Sequence, residues 1–153
     1  MTIGTPEIPD AQLLTDSQVS RFRPVVSGAG PGTKDVPGIE LALVAARAAE
    51  AKNGDDTLVL EVGSVLGITD HFVITGAGNT RQARTIAQEI ERQVKLVSGE
   101  GPRRIEGKDD ARWLLMDYGD FVVHIFLAEA RAYYDLERLW SDVPRVQWRI
   151  PAE

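Results

Sequence analysis

The run WLLMDYGDFVVHIF, Trp113 to Phe126, holds two apolar segments apart by Tyr118-Gly119-Asp120. That spacing and chemistry predict a tight antiparallel hairpin, with strands over Trp113–Asp117 and Phe121–Phe126. Reading toward the carboxyl end, Tyr133, Leu136, Leu139 and Trp140 recur at helical spacing and predict one helix from about Ala128 to Trp140. Reading the other way, Arg103–Glu106 has room only for a short edge strand. Ala83, Ile86, Ala87, Ile90, Val94 and Val97 then mark a long amphipathic helix that Asn79 or Thr80 can cap.

Further upstream, Phe72–Thr75 and Thr57–Val62 are short, apolar and rich in branched residues, as strands are. The Ala-rich segment Ile39–Lys52 is a helix ending at Asn53-Gly54, with Ile39, Ala42, Leu43 and Ala46 on one face. The order helix, strand, strand, helix, strand, strand, strand, helix predicts an α/β fold: a mixed open β-sheet flanked by helices. Residues 1–37 carry five of the eight prolines and the Gly-rich run Ser27–Gly32 without a sustained period, so they read as a flexible N-terminal extension. The domain is expected over 38–143, with 144–153 as a C-terminal tail.

A chain of 153 residues, 43% of them hydrophobic, can build a core without staples. It has no cysteine, which excludes disulfides, thiolate metal sites, iron–sulfur clusters and a cysteine nucleophile. No apolar run approaches the roughly 20 residues that cross a bilayer, and no signal-peptide pattern opens the chain, so a cytoplasmic protein is expected. The net charge of −6 argues against binding nucleic acid by neutralising phosphates and favours a basic partner. Residues 105–143 hold nine acids against four bases, which is five of the six net negative charges.

Catalytic signatures are weak. Ser27–Lys34 imitates a phosphate loop, but Thr33 stands where the second glycine belongs and no strand precedes it. Gly76-Ala77-Gly78-Asn79 is better placed, between a strand and a helix, yet Arg81 occupies the third glycine position of a dinucleotide fingerprint. Asp117 and Asp120 flank the hairpin turn without a third carboxylate nearby. His71 and His124 are too far apart in sequence for a metal pair sharing one element, and His124, within an apolar strand, reads as a hydrogen-bonded structural residue. No metal or cofactor is expected. The distinctive feature is a set of rings, Trp113, Tyr118, Tyr133, Tyr134 and Trp140, among the surplus acids, a composition suited to an interface that attracts a basic surface.

From Glu40 to about Trp140 the chain resembles the ribosomal silencing factor (Iojap-like) family. The matching pieces are ELALVAARAAEAK, GITDHFVIT, GNTRQARTIAQEI, IEGKDDARWLLMDYGDFVVHIF and YYDLERLWSDVP. The resemblance implies a nucleotidyltransferase-like fold without the transferase's catalytic acids, a homodimer, and no enzymatic activity. It also implies a translational repressor that binds the large ribosomal subunit through its fourteenth protein. Occupying that face would block joining of the small subunit and lower translation when nutrients are scarce. Carried over to this chain, the partner-binding role falls on Trp113, with Asp117, Tyr118 and Asp120 of the DYGD turn beside it, and on Tyr134, Asp135, Glu137 and Trp140 of the last helix. The competing expectation is a nucleotidyltransferase-like enzyme using Asp117 and Asp120.

Overall fold

The structure, a computed structural model, describes residues 36–149. The expected phosphate-loop imitation at Ser27–Lys34, and all of the N-terminal extension but Val36 and Pro37, lie outside the described residues. The elements run α1 (Gly38–Ala51), β1 (Asp55–Glu61), α2 (Gly63–Leu66), β2 (His71–Ala77), α3 (Thr80–Ser98), β3 (Arg104–Glu106), β4 (Trp113–Asp117), β5 (Phe121–Leu127), α4 (Ala128–Tyr134) and α5 (Leu136–Leu139).

The hairpin forms as its sequence requires. Tyr118 donates its backbone N–H to the carbonyl of Phe121 at 3.0 Å. Gly119, first of the two residues inside that pair, adopts φ +90°, which glycine reaches without strain. A Cβ there would meet only the guanidinium end of the exposed Arg103 side chain, which can move aside, so the positive φ is what calls for glycine. The register then pairs Asp117 with Val122, Leu115 with His124 and Trp113 with Phe126.

Five strands make one sheet in the order β1-β2-β5-β4-β3. Only β2 and β5 run parallel, since α3 and two strands intervene in sequence between them; the other neighbours are antiparallel. This is the mixed sheet with flanking helices that the order of elements predicts. Two apolar layers cover its faces. On one, α1 and α3 pack on Val59, Val73, Leu114, Met116, Val123 and Ile125. The inner face of α1 is Ala42, Ala45, Ala46, Ala48 and Ala49, all buried, while Ile39 and Leu43 are only half-buried. Small side chains let that helix approach α3 and the sheet closely.

The other face is covered more thinly, by α2, α4, α5 and the turn after them, over Leu60, Phe72, Ile74, Leu115, Val122 and Phe126. Here the sequence expectation of one helix to Trp140 is corrected. Asp135 sits in the left-handed region at φ 50°, its N–H bonding the Arg131 carbonyl at 2.8 Å, and this closes α4 before α5 starts in a new direction. Aspartate tolerates that conformation better than most residues, so the apolar spacing continues across the break while the backbone does not. The short helix α2 was not expected from the sequence.

Residues 144–149, read from sequence as part of a tail, lie along β1. Val146 N–H bonds the Val59 carbonyl at 2.8 Å, and the buried Trp148 donates Nε1–H to the Thr57 carbonyl at 3.0 Å. No helix among the described residues is long and apolar enough to cross a membrane.

Candidate partner-binding surface

Alternation along β4 puts Trp113, Leu115 and Asp117 on the thinly covered face. Trp113 stands at the open end of that face, half-buried, its ring 4.9 Å from Phe126 and 4.5 Å from Tyr134, centroid to centroid. Tyr133, on the next position of α4, meets Tyr134 edge-on at 5.0 Å and is 64% exposed. Asp110, Arg112, Trp113, Ala130, Tyr133 and Tyr134 line a groove of about 340 Å³. Arg112 and Glu129 form an ion pair at 2.9 Å, both exposed, which links the start of β4 to α4. Three adjoining rings, one of them largely bare, are the kind of surface that supplies anchors when proteins associate.

The eight residues expected to bind a partner do not share one surface. Trp113 and Tyr134 adjoin, and Asp135 is half-buried at the elbow beside them. Glu137 accepts a hydrogen bond from Arg131 Nε at 2.6 Å, and the same guanidinium donates to the carbonyls of Asp55 and Asp56. Glu137 therefore belongs to a clamp between α4, α5 and the start of β1. Trp140 is 8% exposed and packs edge-on against Phe72 at 5.6 Å, beneath the surface.

The DYGD turn lies four residues down the strand from Trp113, about 13 Å at the usual rise. Asp117 is 1% exposed, accepts the Gly119 N–H at 2.8 Å and faces Arg104 at 3.7 Å. Burial raises its pKa, opposed by that N–H and by the two arginines nearby. Tyr118 packs with the other layer, stacked on Phe121 at 4.7 Å, and burial raises its pKa as well. Asp120 is exposed and lies against Gly38.

These placements also bear on the enzymatic alternative. Asp117 and Asp120 have different neighbours, and no three His, Cys, Asp or Glu side chains among the described residues are grouped to hold a metal. At Gly76–Asn79, the Gly78 amide already donates to Gln82 Oε1 at 2.7 Å, and Asn79 Oδ1 caps the Gln82 N–H at 2.8 Å. Gln82 Nε2 in turn donates to the carbonyls of Lys52 and Asn53. An amide that would receive a phosphate is thus occupied by the chain itself.

Sequence reasoning left Tyr133, Asp110, Arg112 and Ala130 out of the binding set. Helical spacing groups Tyr133 with Leu136, Leu139 and Trp140 on the apolar side of the last helix, whereas the structure leaves it 64% exposed. His124 is hydrogen-bonded, as expected, but its partner is the indole of Trp113, Nε1 to Nδ1 at 3.1 Å.

Burial holds the His124 imidazole down to about 3, against an ordinary value of 6.5. The unfolded chain takes up this proton near pH 6.5 and the folded chain does not. The contribution is therefore whole above pH 6.5 and is lost as pH falls toward 3. Between pH 7.5 and 5.5 the loss should be about 1.4 kcal/mol. Urea titrations at the two pH values measure it, and His124→Asn should remove this part of the dependence. The raised pKa of Asp117 acts in the opposite sense on acidification, so the comparison of the two proteins is the readout. An unchanged dependence in the variant would contradict the assignment.

With this geometry in place, comparison with known proteins gives a consistent answer. The family described as "Ribosomal silencing factor during starvation" matches residues 35–153. Ribosomal silencing factor RsfS of Bacillus subtilis is 40% identical over 101 residues, covering 66% of this chain and 85% of that protein. A mouse relative named "Mitochondrial assembly of ribosomal large subunit protein 1" is 36% identical over 92 residues, 59% of this chain and 40% of the relative. A crystal structure from Chromobacterium violaceum superposes with a TM-score of 0.66 at 28% identity, covering 69% of this chain and 88% of the other. The chain belongs to the ribosomal silencing factor family.

Proposed function

We propose that this protein represses translation by binding the large ribosomal subunit through its fourteenth protein and keeping the small subunit from joining. The observation that carries the reading is the groove formed by Trp113, Tyr133 and Tyr134 in an acidic region of a chain of this family. A ribosomal protein that sits among RNA phosphates is commonly basic, so an acidic, ringed surface attracts the protein and is repelled by the RNA around it. The name of the mouse relative supports the large subunit over the small one. Inhibition of this kind is steric occupation and needs no chemical step.

Within the reading, Trp113, Tyr133 and Tyr134 touch the partner. Trp140, Asp117 and Glu137 hold the strands and the α4–α5 elbow that present those rings. Asp120 and Tyr118 lie outside the contact. The test is sedimentation of the full chain with purified large or small subunits. Saturable binding to the large subunit alone, weakening as salt rises, is expected. Equal binding to both subunits, or to neither, would sink the proposal.

A further inference from the structure

The groove's main ring is held from behind by a buried polar contact. Because Leu115 faces His124 and Trp113 faces Phe126 across the hairpin, Trp113 and His124 are diagonal neighbours on one face of the sheet. The indole Nε1–H donates to His124 Nδ1 at 3.1 Å, with the ring centroids 5.9 Å apart. A nitrogen that accepts carries no proton, so the neutral imidazole bears its hydrogen on Nε2. His124 is fixed in turn. It is 1% exposed, Phe72 meets it edge-on at 4.5 Å, and Trp140 meets Phe72 edge-on at 5.6 Å.

The torsion that orients an aromatic ring about its Cβ–Cγ bond is broad, so packing alone leaves an edge indole several orientations. A directed hydrogen bond selects among them. With its N–H turned inward to His124, Trp113 offers the groove hydrocarbon and π-face rather than a donor.

We propose that His124 is a positioning residue for the partner surface: it holds the Trp113 indole N–H inward and so presets the ring face that the partner meets. This rests on the ribosome-binding reading above. A preset ring loses less freedom on binding, which raises affinity without adding a contact. Because burial disfavours protonation of the imidazole, the acceptor persists across the neutral range.

The test uses the full chain labelled with ¹⁵N. Its three tryptophans give three indole N–H resonances, and Trp113→Phe identifies the one in question. His124→Phe keeps a ring and removes the acceptor. His124→Asn returns an oxygen near the place of Nδ1. Leu60→Ala is a stability control in the same apolar layer, on β1, separated from β4 by two strands.

In His124→Phe the Trp113 resonance should move upfield, and affinity for the large subunit should fall about tenfold. His124→Asn should recover most of both, and it keeps the test alive if the Phe variant fails to fold. Leu60→Ala should lower stability and leave affinity unchanged. The proposal is overturned if Trp113→Ala weakens binding while His124→Phe does not, or if Leu60→Ala weakens it as much as His124→Phe. If instead Trp113→Ala itself has no effect, the ribosome-binding reading is what fails.

Discussion

Trp113→Ala should weaken binding to the large ribosomal subunit by at least about 2 kcal/mol, roughly thirtyfold. The ring is half-buried among Phe126, Tyr134 and His124, and its indole N–H bonds His124 Nδ1. Removing a ring of this size takes away the largest apolar element of the groove and strips one of the rings packed against Tyr134. The surrounding acids act mainly on the rate of encounter and on salt dependence, so Asp110→Asn should change affinity far less. Sedimentation titrations well below the melting temperature of each protein measure the difference. A loss smaller than about 1 kcal/mol would place the interface elsewhere on the molecule.

A comparable effect, on stability rather than binding, is expected for Trp148→Ala. Trp148 lies near the carboxyl end, yet its ring is buried against the α1 and α3 layer and its Nε1–H bonds the Thr57 carbonyl. Its own carbonyl accepts from Arg47 Nε at 2.9 Å, so one residue ties β1 to α1. Truncation leaves a cavity and an unpaired buried carbonyl, at a cost of about 3–5 kcal/mol. At the usual entropy of unfolding for this length, the melting temperature should drop by roughly 10 °C. Deleting 144–153 should be at least as severe. A drop under about 2 °C in Trp148→Ala would mean the segment is a loosely attached tail.

The contrast between Trp148 and the hairpin shows what was legible in the sequence. Trp113–Phe126 could be read because its information is local: two apolar runs, a Gly with nowhere else to go, and alternation that fixes which side chains share a face. Even the diagonal approach of Trp113 to His124 follows once the turn is set at Gly119-Asp120. The docking of Trp148 is not local. Its partner strand is about ninety residues earlier, and although Arg145 to Arg149 alternate polar and apolar as a strand does, that period does not say which strand they join. Asp135 is the opposite case, where local information misleads. Apolar spacing continues through it, and only the left-handed backbone shows that the helix ends.

The candidate site was legible in kind and not in extent. Rings and acids clustered in sequence, but a strand alternates its faces and a helix rotates its own. Tyr118 therefore joined the α1 and α3 layer while Trp113 joined the other. Asp117, one of two acids on which the enzymatic alternative depended, is committed to Gly119 and faces Arg104. Glu137 is committed to Arg131. Which acids remain available to a partner depends on such pairings, and they follow from turn and side-chain geometry rather than from the composition of the segment.

The most direct measurement mixes purified small and large subunits, adds the full chain in excess over large subunits, and resolves the products on a sucrose gradient. Joined particles should diminish in proportion to the protein added, with the protein itself in the large-subunit fraction, and Trp113→Ala should restore joining at the same concentration. Undiminished joining with the large subunits saturated would contradict steric occupation of the joining face.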